Sequence, residues 1–206
     1  MKICNECAEY GLKFKREYNP DEFLEGKPNS LIWIIGLNPK KDKRFKLPSS
    51  LCDCIDYFEG KVHPYFKDFK EAFPPLYDLF GKSHGLAHTD LVKCPSKKFP
   101  PKNISQKDGE KIIENCGGYL KKQINRSRPK ILICNGSSVC HYIIKTFPPV
   151  SRKDERPTSY IRTIGGDETA IVLSGFIGRI DNYAKRRLGK EISSYMEKFQ
   201  IGIPNS

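Results

Sequence analysis

The sequence predicts an α/β protein built around a mostly parallel sheet. Unbroken β-prone runs recur along the chain, and each stops at turn residues, as strands buried on both faces do. Passages with helical periodicity separate them. No repeat and no linker divides the chain, so residues 1–206 are expected to form a single domain.

The first core strand is Leu31-Ile-Trp-Ile-Ile-Gly36, followed at once by Leu37, Asn38 and Pro39. In parallel sheets ligands bind beyond the carboxyl ends of strands, which makes Asn38 in its Gly/Pro-shaped loop a site candidate. Residues 40–80 lack clean periodicity, although Phe66, Phe69 and Phe73 keep helical spacing until Pro74-Pro75 stops them. A short helix over 76–80 is expected next. The second strand is Leu86 to Val92, whose carboxyl end carries Thr89 and Asp90 ahead of Lys93-Cys94-Pro95.

Ser105 and Asp108 form an approximate capping box. Ile112, Ile113, Cys116, Leu120 and Ile124 then mark one helix face. Gly117-Gly118 weakens that helix by propensity but permits close approach of another body. Ile131 to Cys134 is the third strand, ending at Asn135-Gly136, and Ser137 to Thr146 is a helix. Residues 150–160 read as a polar loop. Ala170 to Leu173 is the fourth strand, ending at Ser174-Gly175-Phe176, and a last helix starts from Asp181.

The formal charge is +12, with basic residues in groups at 40–46, 97–98, 121–130, 152–153 and 185–187. Such a balance favours a polyanionic partner, most simply nucleic acid. No apolar run is long enough to span a bilayer. The opening Met-Lys-Ile-Cys-Asn-Glu lacks a signal peptide's apolar stretch, so an intracellular location is expected, with bacterial or archaeal cytoplasm and nucleus both open.

Eight cysteines in such a chain argue for metal, chemistry or burial rather than disulfides. Cys4 and Cys7 form a CxxC pair suited to two ligands on one metal. The other two thiolates have several candidates: Cys94 and Cys116, or Cys52 and Cys54. Either zinc or a [4Fe-4S] cluster would suit four thiolates.

The order of motifs resembles the uracil-DNA glycosylase superfamily, above all its iron–sulfur family 4 and family 5 branches. The likeness rests on the N-terminal CxxC, on Thr89-Asp-Leu-Val-Lys-Cys-Pro95, on Asn115-Cys-Gly-Gly-Tyr-Leu120 and on Arg128-Pro-Lys-Ile-Leu-Ile-Cys-Asn-Gly136. It implies a three-layer αβα fold with a central four-stranded parallel sheet. It implies a structural [4Fe-4S] cluster on Cys4, Cys7, Cys94 and Cys116, with zinc as the alternative. The function implied is removal of a deaminated base from DNA, with uracil as default and hypoxanthine or xanthine possible. A catalytically divergent DNA-binding member is the alternative. The partner would be double- or single-stranded DNA, and the protein a nucleoid-associated prokaryotic monomer.

The catalytic residues that follow from the resemblance are Asn38 and Asp90. Gly36-Leu37-Asn38-Pro39 resembles the GxNP phrase of the mismatch-specific and thymine-DNA glycosylase branch, where the Asn positions water. Family 4 has Glu where Leu37 stands, and Lys40 replaces a customary glycine. Asp90 occupies the place of the base-reading Asn, and an ionised carboxylate accepts hydrogen bonds but cannot donate them. Its bland alternative is a helix cap or a pairing with Lys93 or Lys97. Ser174-Gly175 resembles the mismatch-specific version of the last motif, which would make Ser174, Gly175, Phe176 and Arg179 DNA contacts. Tyr57, Phe58, Tyr65 and Phe66 are candidates to stack on the base, Phe58 and Phe66 foremost. None of His63, His84, His88 and His141 is assigned a catalytic role.

Overall fold

The computed structural model of the chain describes residues 1–41, 47–59, 62–150 and 157–202. The basic group at 42–46 and Arg152-Lys153 lie outside them.

Strands β1 (Lys2–Cys4) and β2 (Phe14–Arg16) form a small antiparallel pair. The first core strand is β3 (Ile32–Gly36). Three short helices follow: α1 (Leu51–Ile55), α2 (Lys67–Ala72) and α3 (Pro74–Tyr77), the last starting on the prolines that stop α2. Then come β4 (Leu86–Asp90), α4 (Gln106–Ser127), β5 (Ile131–Asn135) and α5 (Ser137–Thr146). The chain closes with β6 (Ser159–Ile164), β7 (Asp167–Ser174) and α6 (Asn182–Lys198).

The main sheet runs in the order β4-β3-β5-β7-β6. The pairs β3/β4, β3/β5 and β5/β7 are parallel, whereas β6 lies antiparallel to β7 at the edge. This corrects the four-stranded parallel sheet and the loop at 150–160: a fifth strand begins at Ser159. Ile164 pairs with Asp167, so Gly165-Gly166 is a two-residue turn, and both glycines have positive φ (59° and 93°). That combination is the hairpin turn matched to strand twist.

Alternation along the strands separates two apolar layers. Ile32, Ile34, Leu86, Ile131, Ile133, Ala170 and Val172 face Phe69 of α2, Leu76 of α3 and Leu188, Ile192 and Met196 of α6. Trp33, Ile35, Ala87, Leu132, Cys134 and Ile171 face Leu120 and Ile124 of α4 and Val139 and Ile143 of α5. Helices therefore pack on both faces.

The expected start of α4 holds, with Ser105 Oγ accepting from the Asp108 amide at 3.1 Å. Gly117 admits a packed element: a Cβ there would run into the Tyr142 ring of α5, while Gly118 faces open space. Gly189 of α6 is the tightest such approach, since a Cβ would collide with the main-chain carbonyl oxygen of Ala72. Helix propensity alone would make Gly189→Ala stabilising by about 1 kcal/mol. Because the obstacle is backbone, a net loss of about 1–3 kcal/mol is expected instead. Urea unfolding of both proteins measures it, and a variant as stable as the parent would contradict the packing.

Candidate active site

On the face covered by α2, α3 and α6, the apolar pattern stops one pleat before the strands do. Gly36 pairs with Asp90, and Asn135 pairs with Ser174. By alternation these residues share the face of Ile34, Ile133 and Val172, and His88 lies one pleat back, opposite Ile34. The carboxyl edge of the parallel sheet thus carries a row of polar groups over an apolar layer. His88, Asp90, Asn135 and Ser174 are all at most 6% exposed. Burying polar groups costs free energy unless they are bonded, so each one's partners matter.

Asn135 is fully engaged. Its amide nitrogen donates to the Tyr65 hydroxyl, and its Oδ1 accepts from the Ile177 amide at 2.7 Å. It thereby ties Tyr65 and the loop after β7 to the end of β5. Tyr65 bridges the row: its ring lies 6.1 Å from His88 and 5.9 Å from Phe176. Ser174 Oγ and His88 Nε2 are buried without a partner among the described residues.

The other nitrogen of His88 is held firmly. Glu25 exchanges two main-chain hydrogen bonds of 2.8 Å with His88, so it adds a one-residue rung to the free edge of β4. Its carboxylate meets His88 Nδ1 at 2.7 Å, and on the far side His88 Nε2 stands 3.8 Å from Asp90 Oδ1. Gly36 makes this arrangement possible. A Cβ there would overlap Asp90 Oδ1 and lie 2.9 Å from His88 Nε2.

Burial opposes charge on His88, but the Asp90 carboxylate and the Glu25 bond outweigh it and hold its pKa above the usual histidine value. Burial pushes Asp90 up to about 6, against the attraction of His88. Lys93 follows the same physics in reverse, pushed down to about 7 by burial against the attraction of Asp90. Its ammonium group donates to Thr89 Oγ1 at 2.8 Å and to Gln123 Oε1, and it lies 5.7 Å from the Phe23 ring centre.

The Lys93 shift has a measurable sign. Between about 7 and 10.5 the unfolded chain holds a proton that the folded protein does not, so this group makes stability rise with pH across that window. The slope is at most about 1.4 kcal/mol per pH unit. Lys93→Met should remove that rise, and parallel stability profiles for the two proteins from pH 7 to 10 would contradict it.

Asn38 lies just beyond β3, partly buried, and its amide nitrogen donates to Ser96 Oγ at 2.9 Å and to the Pro39 carbonyl at 3.0 Å. Ser96 also bonds through its main chain to Pro39 and Lys41, so the loops after β3 and β4 are stitched together. Pro39 is buried, Leu37 packs against the α4/α5 layer, and Lys40 is exposed. Lys40, Lys41, Lys97 and Lys98 stand exposed on this stitched rim and form no ion pair among the described residues.

The aromatic expectation needs correction. Phe58 and Phe66 are core residues, 4% and 2% exposed, packed with each other and with Phe80. Tyr65 is the ring at the row. Gly175, Phe176 and Arg179 are exposed beyond β7, with the Arg179 guanidinium 5.8 Å from the Phe176 ring centre. Lys185 is bound to Glu71 at 2.6 Å and Arg187 to Glu191 at 2.7 Å, which leaves Arg186 without an acidic partner in that run among the described residues.

The expected metal centre is overturned. Among the described residues, no group of three or more His, Cys, Asp and Glu side chains is arranged to hold a metal ion. Cys7, Cys94 and Cys116, with Cys4 beside them, sit instead in a small core with Leu12, Phe14, Tyr18, Val92 and Ile112. A hydrogen bond from Cys116 brings Cys7 down to about 7, while that bond and burial push Cys116 up. Burial takes Cys94 up to about 12. Asn115 donates to Cys7 Sγ at 3.6 Å, and Cys4 Sγ lies 3.6 Å from the Tyr119 hydroxyl. Cys7 and Cys116 bond to each other and Cys4 to Tyr119, and among the described residues the arrangement offers neither a [4Fe-4S] cluster nor zinc its set of ligands. Cys54 is buried beside Tyr18 and Cys52 is exposed.

Two surface hollows, of about 300 and 220 Å³, lie over Cys4 and Tyr119 and between Trp33 and Arg126, and neither touches the polar row. No protein-family model matches the chain, and no curated protein matches its sequence.

Sequence reasoning placed Asn38, Asp90 and Ser174 at strand ends but passed over His88, Glu25 and Asn135. Asn135 had the same signal as Asp90, a polar residue closing an apolar strand. His88 had a weaker one, a polar residue inside a strand otherwise buried on both faces.

Proposed function

We propose that the chain is a DNA glycosylase of the uracil-DNA glycosylase kind, hydrolysing the N-glycosidic bond of a flipped, deaminated base at the carboxyl edge of its sheet. The observation that carries this is the buried row of Asp90, Asn135 and Ser174 beside Gly36, under Tyr65 and Phe176. Through Asp90 and Ser174 it offers hydrogen-bonding groups to the edge of a planar ring, and through Tyr65 an aromatic ring to its face, with Asn135 holding Tyr65 in place.

The chemistry asks little of a general base. Departure of the base leaves positive charge on the sugar, so the protein must place a water under the anomeric carbon and receive the departing anion with oriented donors. Asn38 is assigned the water. Its amide nitrogen is committed to Ser96 and Pro39, which fixes the side chain and directs its Oδ1 as the acceptor for a water proton. Asp90 is assigned to the base edge. Entry of a base requires Tyr65 and Phe176 to give way, at the cost of unstacking the nucleotide from the duplex. Lys40, Lys41, Lys97 and Lys98 supply the phosphate contacts, with Arg179 across the site.

A second reading, DNA binding without excision, is favoured by the same engagement of Asn38, whose amide nitrogen is committed within the protein. Duplexes carrying uracil, hypoxanthine, xanthine or a thymine mismatch, incubated with excess protein and cleaved with alkali, separate the two. Strand cleavage at the altered base supports excision. Retardation of the duplexes without cleavage across the panel supports binding alone.

A further inference from the structure

Helix α6 buries Leu188, Ile192 and Met196 and turns Tyr183, Arg186 and Lys190 to the opposite side. Tyr183 is 78% exposed, and neither its ring nor its hydroxyl has a partner among the described residues. Lys185 and Arg187, the sequence neighbours of Arg186, are bound to Glu71 and Glu191. Arg186 and Lys190 form no ion pair among the described residues. Arg186 Nε donates to the Asn182 carbonyl at 3.3 Å, which leaves the outer nitrogens of the guanidinium for a ligand. The carboxylate beside this stripe, Asp181, is committed as the helix cap, its Oδ1 accepting from the Ala184 amide at 2.8 Å. A lone exposed ring on a helix is ordinary, but one within two turns of two unpaired cations is a combination with a chemical preference.

The stripe continues from the carboxyl edge of the sheet. After β7 the chain makes a tight turn in which the Arg179 and Ile180 amides both donate to the Phe176 carbonyl. Ile180 closes so firmly on Gly175 that a Cβ there would collide with its side chain. α6 starts directly beyond, so Arg179 stands between the polar row and Tyr183 along the chain. β4 and β7 lie at opposite ends of the parallel strands. Lys40, Lys41, Lys97 and Lys98 therefore flank the row on one side, and Arg179 with the α6 stripe on the other. We propose that Tyr183, Arg186 and Lys190 form a platform for single-stranded DNA beside the target nucleotide, Tyr183 stacking on an unpaired base and the two cations holding its phosphates. This rests on the glycosylase reading for the nucleic acid being DNA and for the position of the target.

A duplex meets a protein with phosphates and groove edges, because its base faces are covered by their neighbours in the stack. Cations alone serve such a partner, and an exposed ring between them adds little. Unpaired bases offer their faces, and stacking on an aromatic side chain tolerates any sequence because every base has a π-face. From Tyr183 to Lys190 the helix rises about 10 Å. That is the length of about three nucleotides at about 3.4 Å each. Tyr183 supports no part of the core, so its contribution to binding is separable from folding.

The test is the affinity of the intact protein for a short thymidine strand and for a hairpin duplex with the same number of phosphates, read by fluorescence anisotropy over a range of salt. Tyr183→Ala is expected to weaken strand binding about tenfold, the effect of one lost stack, and to leave duplex binding unchanged. Tyr183→Phe should keep the wild-type affinity, because the ring and not the hydroxyl makes the contact. Arg186→Gln should reduce the log–log salt slope for the strand by about 0.7, as loss of one phosphate contact does. Strand binding by Tyr183→Ala equal to that of the wild type, or an equal loss on the duplex, would overturn the inference. So would a loss in Tyr183→Phe as large as in Tyr183→Ala, or tighter binding of a uridine RNA strand than of the DNA strand. Absence of base release from every strand and duplex would instead sink the glycosylase reading while leaving a Tyr183-dependent strand affinity intact.

Discussion

Replacing Asn38 with alanine is expected to slow base excision by about a hundredfold under single-turnover conditions, since the loss of positioning alone carries effects of this size. DNA affinity should change little. Phosphate contacts are assigned to Lys40, Lys41, Lys97 and Lys98 and none to Asn38, and binding to polyanions is dominated by charge. The Asn38–Ser96 bond complicates the experiment, because its removal also loosens the stitched loops. Ser96→Ala controls for that. It removes the acceptor for the Asn38 amide and leaves the amide in place, so it should cost much less than Asn38→Ala. Equal losses in the two variants would assign Asn38 a structural role only.

Asp90→Asn is expected to abolish the acid limb of the excision profile. In the wild type, burial lifts Asp90 to about 6, so the ionised form, and with it the rate, should fall about tenfold per pH unit below that value. An amide does not titrate there and carries both an acceptor and a donor. The variant should therefore keep its pH 7 rate down to pH 5. Profiles of both proteins between pH 5 and 8 measure this, and an acid limb that survives in the variant belongs to another group.

The parts of the fold visible in the sequence were those fixed by local pattern. β3, β4, β5 and β7 are apolar runs closed by turn residues, and burial on both faces makes such runs continuous. β6 was missed because an edge strand needs to bury only one face. Ser159, Ile161, Arg162 and Thr163 are not fully buried, and the polar residues before the strand extended the appearance of a loop. Gly165-Gly166 was the available signal for the hairpin.

The site divides in the same way. Asn38, Asp90 and Ser174 stand at or just beyond strand ends that the sequence marks, while the roles expected of Asp90 and Ser174 came from the resemblance. His88 gains its meaning from Glu25, 63 positions earlier, and no local pattern reports that contact. Tyr65 could be separated from Phe58 and Phe66 only by tertiary packing, since the three rings share similar sequence surroundings. The cysteines mark a further boundary of sequence reasoning. The resemblance, and not their spacing, implied that Cys4, Cys7, Cys94 and Cys116 would converge, and they do share one small core. Spacing carries no information on whether converging thiols ligate a metal, and among the described residues no group of three or more His, Cys, Asp and Glu side chains is arranged to hold one.

The central claim, hydrolysis of an N-glycosidic bond at the polar row beside Gly36, is tested most directly by measuring the free base released from a uracil-containing duplex. Wild-type protein in stoichiometric excess should release uracil to completion and leave an equal amount of abasic strand, while Asn38→Ala releases it about a hundredfold more slowly. Uracil that stays attached to the strand in the wild-type reaction, or equal release by the wild type and Asn38→Ala, would contradict the account.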